Sequence, residues 1–128
     1  MNVAEWESNM SAIVLAAVDQ QVIQIKVGEQ PLSVEVAASQ MTRMAGLGDR
    51  DELPHDGMLF MYAEDVSRGY HRSTMRFPIA IRFYDAAGQL VHEDLSSPAV
   101  YPPQPYRYVL ETAMNRLLAG DLSIDSIS

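Results

Sequence analysis

The sequence predicts a single, mainly β domain, built as a compact barrel or sandwich with one or two short helices. Several short segments alternate apolar with polar residues, which is the pattern of strands that bury one face. Turn-forming residues separate these segments, and only one or two short stretches predict a helix. With 128 residues, the chain is long enough to bury one core.

Residues 22–37 predict the first β-hairpin. Two runs of apolar residues alternate with polar ones, at Ile23, Ile25 and Val27 and then at Leu32, Val34 and Val36. Residues 28–31, Gly-Glu-Gln-Pro, separate the runs and suit a turn. We therefore expect two antiparallel strands with one buried face.

Residues 1–21 form an N-terminal extension to a β-rich domain of residues 22–128. Two interpretations of the extension stay open. Trp6, Met10, Ile13, Val14 and Val18 lie near helical spacing, whereas the apolar run 13–15 followed by Asp-Gln-Gln at 19–21 is typical of a strand and turn. We slightly favour the strand.

Residues 39–48 predict a short helix. Ser39 is a residue type that caps helix N-termini, and Gly46 suits the end of a helix. Met41, Met44 and Leu47 recur every three residues. A short helix depends on packing for its stability, so we expect this stripe to lie on the sheet.

The second half of the chain predicts further strands. Residues 58–62 are continuously apolar, which indicates a strand buried on both faces. Residues 79–83 and 89–93 predict a second hairpin around the turn at 85–88, and residues 106–110 and 122–127 predict two more strands. Residues 113–118 predict a brief helix that ends at Gly120. The prolines at 102, 103 and 105 make the preceding loop stiff, because proline donates no backbone hydrogen bond.

Charge and composition exclude several classes of function. The formal net charge is -8, whereas nucleic-acid binding needs clustered lysine and arginine. There is no cysteine, so disulfides and thiolate chemistry are excluded. No apolar run is long enough to span a membrane, and residues 12–18 lack the basic flank of a signal peptide. We expect a soluble protein, cytoplasmic or part of an assembly, with no nucleic-acid or membrane partner.

No arrangement of residues predicts a catalytic or metal site. The three histidines lie far apart in the sequence, without metal-ligand spacing, and the acidic residues of segment 49–56 lack the pattern of a calcium loop. Arg68, Arg72, Arg76 and Arg82 would share one face of an extended segment. A solvated strand face is favoured there over an anion site. We expect no catalytic residues, no metal and no cofactor.

Residues 32–125 resemble the domain-of-unknown-function 192 family, also called uncharacterised protein family 0127. The matching blocks are Val-Glu-Val-Ala at 34–37, Gly-Met-Leu-Phe at 57–60, Phe-Tyr-Asp at 83–85, Tyr-Pro-Pro at 101–103 and Tyr-Val-Leu-Glu at 108–111, with Arg43, Gly46-Leu47, Arg50, Leu53-Pro54, Pro78 and Gly88 in the same order. The resemblance implies a single β-rich domain. It implies no established activity.

The chain departs from the family where polar side chains are expected. Family members typically carry Phe-Trp-Met-x-Asn-Thr before the proline, whereas residues 70–75 here are Tyr-His-Arg-Ser-Thr-Met. Members also have an aspartate two residues after the proline, where this chain has Ala80. A polar pocket needs its donors and acceptors in place. The resemblance therefore implies the scaffold with an altered site.

Two hypotheses of function follow. The first is a non-enzymatic assembly or interaction module that binds protein, mainly itself, such as a shell or virion decoration component. Its interface would be the tyrosine- and proline-rich segment, with Tyr101, Pro103, Tyr106 and Tyr108.

The alternative is a small-molecule- or anion-binding domain, or a weak enzyme, with a remodelled family pocket lined by Arg50, His71, Arg72 and Thr74. For Arg43, Arg50 and Glu111 we favour a structural role, in which they form ion pairs or cap backbone groups. The functional alternative is that Arg50 binds an anion.

Overall fold

The computed structural model describes residues 12–126. It contains two short helices, α1 (Ala12–Val18) and α2 (Gln40–Ala45). The strands are β1 (Val22–Val27), β2 (Gln30–Ala37), β3 (Met58–Val66), β4 (Tyr70–His71), β5 (Ile79–Tyr84), β6 (Leu90–Asp94), β7 (Ala99–Val100), β8 (Tyr106–Ala113) and β9 (Leu122–Ser126). The mainly β, single-domain prediction is confirmed.

Seven strands form one curled sheet in the order β6-β5-β8-β3-β2-β1-β9, an open half-barrel. All neighbouring strands are antiparallel except β2 and β3, which are parallel. Strands β4 and β7 form a separate antiparallel pair. Both predicted hairpins are confirmed, as β1–β2 and β5–β6. The strand at the end of the chain is confirmed up to Ser126, and Ile127 lies outside the described residues.

The core lies on both faces of the sheet. Because side chains alternate along a strand, β3 sends Leu59 and Met61 to the first face and Met58, Phe60 and Tyr62 to the second. All five are buried, so the prediction of a strand buried on both faces is confirmed. The first face meets α1, and the second meets the β4–β7 pair.

The segment before the first hairpin is a helix, and the favoured strand was wrong. Leu15 and Val18, three residues apart, are both buried against the first face of the sheet. Helical spacing brings these two side chains to one side of the segment, which a strand would not do. Trp6 and Met10 lie outside the described residues, and the boundary at residue 21 stays a prediction.

The helix predicted over residues 113–118 is also wrong. Ala113 still pairs with Ile79 as the last residue of β8, and the chain then turns, with Arg116 N donating to Ala113 O at 3.1 Å. Leu117 is 91% exposed. Leu118 is partly buried against the first face of the sheet, so the apolar residues of this segment do not share one buried helical face. Strand pairing at Ala113 takes precedence over local helix propensity.

The helix α2 begins as predicted, but its methionine stripe does not pack. Ser39 Oγ accepts from Thr42 N at 3.1 Å, while Thr42 Oγ1 accepts from Ser39 N at 3.0 Å, so each residue caps the other. Met41 and Met44 are each about 80% exposed, and of the predicted stripe only Leu47 is buried. Hydrogen bonds rather than apolar burial hold this helix, including Thr42 Oγ1 to Asp19 Oδ1 at 2.6 Å.

Candidate functional site: a cleft on the second face of the sheet

A cleft of about 310 Å³ opens beside the second face of the sheet. One wall is α2 with the loop that follows it, and the other is β4 with the residues on either side. The sheet contributes Phe60 and Tyr62 from β3 and Glu111 from β8. The cleft therefore exists because the β4–β7 pair and α2 cover the same face at two separate places.

An aromatic cluster fixes the β4 wall. The ring of Tyr70 meets Phe60 and Phe83 edge to face, with centroids 5.4 Å and 5.5 Å away. The hydroxyls of Tyr70 and Tyr62 are 2.8 Å apart and share a hydrogen bond. Tyr106 OH donates to Arg68 O at 2.9 Å, which holds the chain just before β4. These contacts give the cleft a rigid, largely preformed wall.

Arg43 joins the α2 wall to the sheet. Its Nη1 donates to Ala38 O at 2.6 Å and to Met61 O at 3.0 Å, and its guanidinium lies 4.5 Å from the ring centre of Tyr62. These bonds position the group as part of the lining. Its other donors, on Nε and Nη2, have no hydrogen-bond partner among residues 12–126 and are available to a ligand.

Glu111 is the most unusual group in the cleft. It sits mid-strand in β8, between Met58 of β3 and Ile81 of β5, and only 4% of its surface is exposed. Its carboxyl group has no hydrogen-bond partner in the described part of the chain. Burial raises the pKa of Glu111 to about 8, and the positive charge of Arg72 only partly opposes this. At neutral pH the group is therefore mostly a protonated acid that can donate a hydrogen bond.

The four ligand-binding residues predicted from the sequence do not converge. His71 and Thr74 do line the cleft. Arg50 lies at a separate groove, where its Nη2 pairs with Glu35 Oε2 at 2.8 Å. Arg72 does not line the cleft, because its guanidinium is turned toward Asp94 at the edge of the sheet.

Arg72 instead ties the β4 region to the edge of the sheet. Its Nη1 pairs with Asp94 Oδ1 at 2.6 Å and also donates to Ser97 O, and its Nη2 donates to Asp94 O at 2.8 Å. Burial alone would raise the pKa of Asp94, but hydrogen bonds from Ser97 and Arg72 bring it below its ordinary value. The ion pair of Arg72 with Asp94 therefore stabilises the fold and does not form part of the cleft.

The shared face predicted for the four arginines is also absent. Arg72 and Arg82 are turned inward; Arg82 is 2% exposed and donates to Glu93 Oε2 at 2.6 Å. Arg76 makes an exposed ion pair with Asp51. The prediction assumed an extended segment, in which every second side chain lies on the same face. It is wrong because the chain turns between β4 and β5, so residues 72–78 are not extended.

The predicted interface patch is divided between surface and core. Tyr101 is 78% exposed and Pro103 is exposed, but Tyr106 and Tyr108 are completely buried. Both belong to β8, the central strand between β3 and β5, so each ring lies inside one of the two cores. Tyr106 and Tyr108 are therefore unavailable to a partner surface, and that part of the prediction is corrected.

Several cleft residues were not predicted as ligand-binding: Arg43, Tyr62, Arg68, Tyr70 and Glu111. A usable signal existed for Glu111, since it is the one charged residue in the run from Tyr108 to Ala113. A charged residue in such a run must be paired, or must change its protonation state. No local signal marks Arg68, because its place at the cleft depends on the tertiary path of the chain.

Two further structural findings bear on function. Across residues 12–126, no group of three or more histidine, aspartate and glutamate side chains is arranged to hold a metal ion. No helix in the described part of the chain is both long enough and apolar enough to cross a membrane.

The sequence matches the family model DUF192, described as "Uncharacterized ACR, COG1430", over residues 22–126. The chain belongs to the DUF192 family. This match starts where β1 starts and ends with β9, so it covers the whole curled sheet and the cleft.

Solved structures with the same fold have little sequence identity to this chain. A protein of unknown function from Novosphingobium aromaticivorans superposes with a TM-score of 0.64 at 15% identity, covering 80% of this chain and 83% of that one. A protein from Sinorhizobium meliloti, described as a proposed transcription regulator, superposes with a TM-score of 0.66 at 20% identity, covering 80% and 92%. Among curated protein sequences, none matches the chain significantly. The likeness shows the fold alone.

Proposed function

We propose that this DUF192 chain is a small-molecule-binding domain whose ligand occupies the cleft between α2 and β4. The observation that carries the proposal is the buried carboxyl group of Glu111, which lines the cleft without a hydrogen-bond partner among the described residues. The Glu111 oxygens are not fully enclosed, so they open onto the cleft, where only a molecule that enters it can supply the missing hydrogen bond. Such groups are rare in folded proteins and are found preferentially at functional sites, where a ligand completes the bonding.

The dimensions of the cleft support this role. Its volume of about 310 Å³ is at the small end of the range for ligand sites. It is roughly twice the ~150 Å³ of a protein cavity that accommodates benzene, so it suits a ligand of about a dozen non-hydrogen atoms. The proposal corresponds to the small-molecule hypothesis from the sequence. Of the four residues predicted there, it retains His71 and Thr74 and drops Arg50 and Arg72.

A thermal-shift screen of a diverse small-molecule library tests the proposal. A ligand present at 100 times its Kd is expected to stabilise the folded chain by about 2.7 kcal/mol. Thr74→Trp should abolish the shift, because Thr74 is an exposed residue of the lining and the larger side chain would fill the opening. Ser96→Trp is the control, since Ser96 is an exposed residue outside the lining, and should keep the shift.

Either of two results would reject the binding role: no compound stabilises the chain, or every active compound binds the Thr74→Trp variant as tightly as the original chain.

Self-association is a second candidate, and one observation favours it. Met41 and Met44 are about 80% exposed on adjacent turns of α2, and flexible methionine side chains are common at protein-binding surfaces. Light scattering across a concentration series should then show an oligomer that Met41→Ser with Met44→Ser disrupts, while Leu117→Ser, at another exposed apolar residue, does not. A strict monomer at every concentration would rule out this candidate. No feature of residues 12–126 points to a particular assembly such as a virion.

A further inference from the structure

We propose that the ligand of the cleft is a small organic acid, with its carboxylate on the guanidinium groups of Arg43 and Arg68 and its apolar body against the aromatic wall. Glu111 then acts as an uncharged hydrogen-bond donor to an oxygen of the ligand. This assignment rests on the proposed function, since it names the chemical class that the same cleft would take.

The distribution of ion pairs supports an anionic ligand. Six of the eight arginines of residues 12–126 pair with a carboxylate: Arg50, Arg72, Arg76, Arg82, Arg107 and Arg116. The two that have no ion-pair partner among the described residues are Arg43 and Arg68, and both line the cleft. In a protein of formal net charge -8, two unpaired arginines in one small cleft form a local positive site.

Arginine is well suited to this task. Its planar guanidinium presents donors in a fork that matches a carboxylate. Arg43 is held in place by the carbonyls of Ala38 and Met61, which leaves its Nε and Nη2 donors for the ligand. Arg68 is exposed, and its backbone is held by Tyr106. One arginine is therefore prearranged inside the lining, and the second can close on the ligand from outside.

The apolar part of the lining indicates the rest of the ligand. Leu47, Phe60 and Met75 line the cleft together with the rings of Tyr62 and Tyr70. This surface suits a hydrocarbon or aromatic body, while the arginines suit one anionic group. A compact molecule with one carboxylate and one ring satisfies both requirements within the available volume.

The protonation state of Glu111 makes the assignment testable. A protonated carboxyl donates to the ligand anion, whereas an ionised one repels it. The charge of Arg72 acts on Glu111 from outside the cleft, and Tyr70 interacts with it from β4. The other ionisable groups that line the cleft are Arg43 from α2, Tyr62 from β3, Arg68 before β4 and His71 on β4. Burial keeps the pKa of Tyr70 well above its ordinary value, so this phenol stays neutral. Affinity for an acid should therefore fall as pH rises past the pKa of Glu111.

Three probes with one carbon skeleton separate the ligand classes: 3-phenylpropionate, the neutral 3-phenylpropionamide and the cationic 3-phenylpropylamine. Binding is followed through carbon-13 signals of the methionine methyl groups, which remain observable at high pH. Met44 and Met75 line the cleft and should shift, whereas Met61, buried on the opposite face of the sheet, should not. The acid should bind more tightly than the amide, and the amine should bind least.

Two variants connect the result to the named side chains. Arg68→Gln should lower the affinity for the acid by about tenfold, because it removes a charge-assisted hydrogen bond, and should leave the affinity for the amide unchanged. Arg76→Gln is the control at an exposed arginine outside the lining and should change neither. Glu111→Gln should keep acid binding near pH 6.5 and remove the loss of affinity at higher pH, which in the original chain should approach about tenfold per pH unit above pH 8.

Tighter binding of the amine, or affinity for the acid that does not fall with pH, would overturn the assignment. The absence of any cleft signal with millimolar acid would overturn it as well. Cleft binding itself survives these results if some compound of the thermal-shift screen stabilises the original chain but not the Thr74→Trp variant. The two proposals therefore fail separately.

Discussion

Replacing Glu111 with glutamine should stabilise the folded chain, by an amount that grows with pH. Burial raises the pKa of Glu111 from 4.5 to about 8. Between those two pH values, the unfolded chain releases a proton that the folded chain keeps. The stability linked to the Glu111 proton is therefore fully present below pH 4.5. It is lost as pH rises from 4.5 to about 8, at about 1.4 kcal/mol per pH unit.

The expected size follows from the two pKa values. At pH 7 the loss of stability attributable to Glu111 is about 3 kcal/mol, and it levels off above pH 8, where the carboxyl is ionised in both states. Glutamine has nearly the shape of the protonated acid and no ionisable proton. The difference in unfolding free energy between Glu111→Gln and the original chain should thus be small near pH 4.5 and about 3 kcal/mol at pH 7.

Urea denaturation followed by far-ultraviolet circular dichroism, at several pH values from 4.5 to 9, measures this difference. Glu64→Gln is the matched control, because Glu64 is an exposed glutamate on β3, and it should change stability by no more than about 0.5 kcal/mol. A Glu111→Gln difference that stays constant across the whole range would refute the reasoning, since a group ionised at its ordinary pKa in the folded chain cannot produce the predicted slope.

Three further predictions concern packing and bracing, and urea denaturation at pH 7 checks each of them. Arg72→Met should lower the free energy of unfolding by about 3–5 kcal/mol, because it leaves the mostly buried Asp94 without its ion-pair partner. Arg76→Met breaks an exposed ion pair and should lower it by less than about 1 kcal/mol. Equal losses in the two variants would contradict this. Leu47→Ala should cost about 2–5 kcal/mol, while Met44→Ser should stay within about 0.5 kcal/mol, and a costly Met44→Ser would show that the stripe packs after all. Gly57→Ala should lower the free energy of unfolding by more than about 3 kcal/mol, since φ is +147° and the added Cβ would lie 2.1 Å from a carbonyl oxygen of β8. Gly69→Ala is the control, because its Cβ would meet only the exposed ring of Tyr101, which can move. A similar loss of stability in Gly69→Ala would argue against backbone crowding as the cause.

Local patterns in the sequence were sufficient for the strands of the seven-stranded sheet and for the start of α2, but not for the short strands β4 and β7. Alternation along residues 22–37 directly reports which side chains of β1 and β2 are buried, because the period of a strand is set by its own backbone. The cap at Ser39 is equally local, since both of its hydrogen bonds are made with Thr42. The family blocks spread over the chain are also enough to identify the scaffold from the sequence alone.

The site could not be predicted in the same way, because its members come from α2, β3, β4 and β8. Whether a tyrosine lies on the surface or in the core depends on its place in the fold: Tyr101 is exposed in the loop after β7, whereas Tyr106 is buried in the central strand β8. Likewise, Arg43 and Arg68 are distant in sequence and meet one cleft only because β4 folds back over the second face. The sequence by itself determined the strands of the large sheet and which of their residues are apolar. The tertiary structure decided which polar groups lie together, because burial and charge depend on neighbours that are remote along the chain.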